Sequence, residues 1–226
     1  MDLLYECASK YGNYAGCDYT FFLDCGIDFT VAFNKSHFYH LIGLHKLTDI
    51  AQLKKSQYNS ANSIYRNIMN GHIKFNDIVK SLHYNEIASR LQFFTDIYNI
   101  VNSKVIIDFD YTKVQRTSIL ANYILFKDYG EMKAHCGFAY DRNGKDRYYP
   151  ETFFVQDNDY YIKNQDVYSV VDSFVFFALR RIAVICSRFP FLKFFKSFSD
   201  LKYITEVYLC FSELSSANII FCLSPF

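Results

Sequence analysis

Hydrophobic periodicity changes twice along this chain, from about two residues to about 3.6 and back, and that order confines the fold to a sheet carrying a helical insertion. In residues 29–33, Phe29, Val31 and Phe33 point one way and Thr30 and Ala32 the other, as a half-buried strand requires. A partner strand at 20–24 precedes it across the turn Cys25-Gly26-Ile27-Asp28, and residues 3–11 suit a first helix. Asn34 or Ser36 can cap a short helical turn, which Gly43 terminates. Next comes a helix opened by Asn59 or Ser60, with Ile64 and Ile68 on one face and Gly71 at its end. A short helix is expected at 76–81 and a long one at 85–102, where Ile87, Leu91, Phe94 and Val101 recur at helical spacing. Strands return at 105–108, 120–126 and 132–140. Asn143-Gly144 then predicts a hairpin into 147–155, where Pro150 calls for an edge or a bulge. A last short strand is expected at 160–162. The expected class is α+β: a small antiparallel sheet with a helical insertion between its early and late strands, plus a helical or irregular C-terminal tail.

The chain of 226 residues is 51% hydrophobic, enough apolar material for a sizeable core. Its net charge of +1 means that a nucleic-acid partner must be held by a local basic patch, not by a global field. The seven cysteines are scattered, odd in number and never spaced as Cys-x-x-Cys, so reduced thiols and a cytoplasmic location are expected. Asp2 and Glu6 do not suit a signal peptide, and Arg180-Arg181 interrupt the one membrane-like stretch, 174–186. The character changes near residue 172. Residues 173–226 are basic and rich in Phe, with no His and no Gly. They are read as a separate tail, either a basic helical extension, a membrane-surface element or a frame-shifted segment, after a domain of residues 1–172.

Two constellations carry candidate chemistry. The first is the stretch His37-Phe38-Tyr39-His40-Leu41-Ile42-Gly43-Leu44-His45-Lys46, which holds three of the six histidines. Imidazoles exchange protons near neutral pH unaided, so His40, His45 and Lys46 can shuttle protons and hold negative charge without a metal, with His37 beside them. The alternative makes His37 an exposed neighbour and His40 a hydrogen-bonded edge of the core. The second constellation is Arg147-Tyr148-Tyr149-Pro150-Glu151-Thr152. Strict alternation puts Arg147, Tyr149 and Glu151 on one face and Tyr148 and Thr152 on the other, unless Pro150 bulges the strand. A guanidinium, a phenol and a hydroxyl there could grip a phosphate; the alternative is aromatic cross-strand packing. Lys133 and His135 could line the neighbouring strand as substrate-binding residues, or simply face solvent. Phosphate-binding glycine loops, a nucleophile elbow and zinc-ligand spacings are missing from the sequence, and no metal or cofactor is expected.

The segment from Phe33 to Leu47 resembles the F-x-HLxGLHKL segment of phage-associated barnase–EndoU–colicin–RelE-like nuclease domains. The resemblance runs in order through Ser63-Ile64-Tyr65, Ile68-Met69-Asn70-Gly71, Ile87 to Phe94 and Tyr148 to Phe154, covering roughly residues 5–170. It implies a metal-independent endoribonuclease, toxin-like, used in conflicts among phages, mobile elements and hosts. RNA is the implied substrate, and an antitoxin or immunity protein an implied partner. Carried over by motif position, His40, His45 and Lys46 become catalytic candidates from the first block, and Tyr149 and Thr152 from the last strand. Members often have Arg-Ser or a similar pair where this chain has Glu151-Thr152, a departure that counts against a phosphate-gripping role at Glu151. A second expectation is a binding module that keeps the fold without the chemistry. A third is an interaction protein whose tail docks on a membrane or a partner helix.

Overall fold

The computed structural model describes residues 2–142 and 146–177; the Asn143-Gly144 turn and the tail beyond Phe177 lie outside them. Helix α1 spans Leu3–Gly12, capped by Asp2, whose carboxylate accepts from the Tyr5 N–H. Strands β1 (Cys17–Leu23) and β2 (Asp28–Ala32) form the expected hairpin. Phe29, Val31 and Phe33 are buried, while on the other face Thr30 meets Thr20 hydroxyl to hydroxyl at 2.8 Å. The helical insertion follows: α2 (Phe38–Leu41), α3 (Ala61–Met69), α4 (Phe75–Ile78), α5 (Ala88–Phe94) and α6 (Ile97–Val101). Ser60 caps α3, and Gly71 follows its end at a φ of 72°.

The long helix expected at 85–102 is broken. A 3-10 turn at Tyr84–Glu86 leads into α5, and the chain bends at Thr95-Asp96 before α6. There the Thr95 hydroxyl bonds back to the Gln92 carbonyl, and Asp96 takes the Asn99 amide and the Tyr129 hydroxyl. Polar side chains that compete for the backbone end a helix even where the apolar spacing continues.

The sheet is larger than expected. Strands β3 (Val105–Asp108), β4 (Tyr123–Asp128), β5 (Lys133–Tyr140), β6 (Tyr148–Gln156) and β7 (Asp166–Phe177) join the first hairpin in a closed barrel ordered β1-β2-β6-β5-β4-β3-β7. Every pairing is antiparallel except β2 with β6, which touch in parallel at Val31 and Tyr148. Closure is the work of β7, which pairs with β1 along one part of its length and with β3 along another. Without it, β1 and β3 would be edges with unpaired backbone groups. β7 also runs through residue 172, where the sequence reading ends the domain, while residues 160–162 lie in a turn instead of a strand.

The main core joins one sheet face to the helices, with Phe21, Phe33, Phe138 and Phe153 meeting Tyr11, Phe38, Leu91 and Phe94. Each side chain so buried contributes about 1.5–3 kcal/mol. A smaller cluster of Ile107, Phe109, Val114, Ala121, Ile124 and Phe154 covers the opposite face. Cys7 and Cys136 are buried free thiols, Cys17 is buried as well, and Cys25 is an exposed free thiol. Among the described residues, no helix is long and apolar enough to cross a membrane.

Candidate functional site

Residues 34–47 form a folded corner whose buried side chains hold the polar ones outward. A 3-10 turn, Lys35–His37, runs directly into α2, and a second, Leu44–Lys46, follows Gly43. Phe38, Leu41, Ile42 and Leu44 are fully buried, whereas His40 and His45 are exposed. Gly43 makes the corner possible. Its φ of 82° lies in the left-handed region, and a Cβ there would sit 2.7 Å from the Ile87 Cγ2. The reversal brings the His40 and His45 rings to 4.9 Å between centroids, inclined by 37°.

Positive charge surrounds this pair. The Lys55 Nζ lies 2.8 Å from the His40 Nε2, and Arg90 donates to the Leu41 carbonyl at 3.4 Å. Partial desolvation of the ring and then the Lys55 charge lower the His40 pKa from its ordinary value. Partial desolvation, His40, Arg90 and Lys46 bring that of His45 down to about 4. Both imidazoles are therefore neutral at pH 7 in the free protein. Lys46 itself leans to Glu86, at 3.7 Å.

His37 connects this corner to β6. Its Nδ1 accepts the Asn34 N–H at 3.3 Å, so Nε2 carries the ring proton, and its ring centroid is 5.6 Å from that of Tyr149. Burial first, then His40 and Arg147, lowers its pKa to about 4. His37 and Tyr149 share a cleft of about 250 Å³ with Asn34, Asp141, Arg147 and Tyr148. Arg147 reaches Asp18 at 3.5 Å, and burial together with the neighbouring Glu151 raises the Tyr149 pKa.

The strand carrying Tyr149 bulges at the expected place. Gly137 opposes Thr152 and Phe138 opposes Pro150, which leaves Glu151 as the extra residue. Alternation is thereby reset: Tyr149 and Thr152 fall on one face, and Tyr148 with Phe153 on the other, against the main core. Thr152 sits against Gly137, where its Cγ2 comes within 2.9 Å of the position a Cβ would take.

Two expected residues stand apart from this site. Lys133, paired with Asp159 at 3.2 Å and Asp128 at 3.6 Å, lines a separate cleft of about 410 Å³. At about 3.4 Å per residue, it lies roughly 20 Å along β5 from Ala139, the partner of Tyr149. His135 is fully buried, stacked at 4.5 Å on Phe154, so it is neither solvated surface nor open to a substrate. In the other direction, Lys55 and Asp141 join the site without any signal in the sequence pattern, and Arg90, which lies in the resembling segment Ile87 to Phe94, joins it without having been a site candidate. Lys55 lies in a polar loop that lacks periodicity, and a tertiary contact alone brings it to His40. Among the described residues, no three His, Cys, Asp or Glu side chains gather as metal ligands would.

Comparison with curated proteins found no match, and comparison with solved structures found none either. A family model described as phage-Barnase-EndoU-ColicinE5/D-RelE like nuclease4 matches residues 3–223. That span takes in the histidine corner, the Tyr149 strand and the barrel-closing β7. The chain therefore belongs to this family of phage-associated nucleases.

Proposed function

We propose that the protein is a metal-independent endoribonuclease in which His40 and His45 move the protons. The ribose 2′-hydroxyl attacks the adjacent phosphorus, the bond to the 5′-oxygen breaks, and a 2′,3′-cyclic phosphate and a 5′-hydroxyl are left. One imidazole takes the 2′-hydroxyl proton and the other returns a proton to the leaving oxygen. The observation that carries this reading is the exposed imidazole pair, 4.9 Å apart and flanked by Lys55, Arg90 and Lys46. Cations beside both rings discourage a metal ion and favour an anionic phosphate, whose own charge would raise the imidazole pKa values and load one ring with a proton.

The neighbouring cleft supplies positioning. Tyr149 and His37 offer a phenol and a ring N–H beside Arg147, suited to a flanking phosphate or base, while Thr152 and Glu151 lie further along the same strand. An inhibitor protein that guards the host cell would accompany such an activity, and cytoplasmic RNA is its natural target. The test is cleavage of a mixed-sequence RNA with chelator present: His40→Ala and His45→Ala should each lose about 10²–10⁴ in rate. Wild-type cleavage by His40→Ala, or cleavage abolished by the chelator, would end the proposal.

A further inference from the structure

We infer that Lys55 is a substrate-displaced latch on His40: it holds the Nε2 lone pair in the free protein and transfers to a phosphate oxygen when RNA binds. The inference rests on the nuclease reading above and assigns a role to a residue outside the histidine motif. An ammonium has three donors and no lone pair, so at 2.8 Å it must donate and His40 Nε2 must accept. The ring is thereby fixed as the neutral tautomer with its proton on Nδ1.

The loop that delivers Lys55 is anchored at several points. The Tyr39 hydroxyl donates to the Leu53 carbonyl at 2.9 Å, and the Asn59 amide donates to the Gln52 and Lys54 carbonyls, both at 2.9 Å. The Lys55 ammonium also lies over the Tyr39 ring, 4.7 Å from its centroid. Tyr39, next to His40 in the chain, thus holds both the backbone and the charge of the loop. Such anchoring sets Lys55 apart from a freely moving surface lysine.

A lone pair engaged by Lys55 cannot accept the 2′-hydroxyl proton. A phosphodiester monoanion makes a stronger, charge-assisted partner for the ammonium than a neutral imidazole does. Its arrival therefore does two things together: it draws the cation onto the oxygen where charge builds during attack, and it frees Nε2 beside the nucleophile. The charged or titratable groups around the ring are His45, His37, Tyr39 and Lys55, with Arg90 and Lys46 acting on His45.

The experiment is histidine ¹⁵N NMR on the full chain, in wild type, Lys55→Met and Lys54→Met. Lys54 is an exposed neighbour whose loss removes the same charge. In Lys55→Met, His40 should titrate at higher pH than in wild type, whereas Lys54→Met should leave it within a few tenths of a unit. At a pH high enough to keep His40 neutral with RNA bound, an uncleavable 2′-O-methyl RNA of mixed sequence should shift the Nε2 signal of wild type towards a free lone pair and leave that of Lys55→Met unmoved. RNA cleavage by Lys55→Met should fall by about 10²–10³, as when an oxyanion donor is removed, and Lys55→Arg should recover part of it. Unchanged His40 titration in Lys55→Met overturns the latch, as does cleavage within threefold of wild type. If the NMR shifts appear but wild type cuts no RNA, the contact stands and the nuclease reading falls.

Discussion

Replacing Gly43 by alanine adds one methyl group at the point where the histidine corner reverses, and the structure gives the cost in two parts. The backbone there has a φ of 82°, a conformation that costs an L-residue about 1–2 kcal/mol. The new Cβ would also meet the Ile87 Cγ2 at 2.7 Å, and Ile87 is fully buried, so it has nowhere to swing. Overpacking of that kind costs about 1–3 kcal/mol. The expected loss is therefore about 2–5 kcal/mol. Gly71 provides the control, since its φ of 72° carries the same backbone cost but nothing lies within 4 Å of its would-be Cβ. Gly71→Ala should lose only the first part, about 1–2 kcal/mol. Urea unfolding measures both, with a slope of about 1–3 kcal/mol per molar. Equal midpoints for the two variants would refute the packing contribution, and an unshifted midpoint for Gly43→Ala would refute the corner geometry altogether.

The pH profile of kcat/KM reports the free protein, in which His45 titrates near 4 and His40 below its ordinary value, so cleavage should peak on the acid side of pH 6.5. A peak above pH 7 would count against this acid–base pair. His135 is fully buried, no partner meets hydrogen-bond geometry at either ring nitrogen, and burial lowers its pKa to about 4. The unfolded chain binds that proton more readily, so the stability linked to His135 is complete above pH 6.5 and is lost as pH falls towards 4. The loss is about 3 kcal/mol at most. His135→Phe should flatten that limb and leave stability at pH 7 equal or higher; a limb as steep as in wild type would contradict the assignment. Tyr149→Phe, which keeps the ring against His37, should hold RNA better than Tyr149→Ala in a binding titration; equal affinities would remove Tyr149 from the cleft's role.

The first hairpin, the Ser60 cap and the Gly43 terminator were legible in the sequence because each rests on local chemistry: alternation, a side-chain acceptor, a residue that tolerates positive φ. The bulge beside Pro150 was legible for the same reason, since a residue without an N–H cannot continue the ladder. β7 was not. Its run Val-Tyr-Ser-Val-Val-Asp-Ser-Phe lacks clean alternation, and the distant β1 and β3 determine its place. The break at Thr95-Asp96 was hidden because Leu91, Phe94 and Val101 keep helical spacing across it. His135 looked like surface because the sequence does not reveal that Phe126 and Phe154 cover that face of β5. Of the site, the imidazoles were visible as a cluster, but the ammonium at His40 was not, since Lys55 lies nine residues beyond Lys46 in a loop placed by Tyr39.

The most direct measurement is ³¹P NMR of the products formed from a short RNA by the full chain with excess chelator. Attack by the ribose hydroxyl, managed by His40 and His45, predicts a 2′,3′-cyclic phosphate resonance from wild type and none from His40→Ala. A 5′-phosphate product, or a cyclic product that persists in His40→Ala, would contradict it.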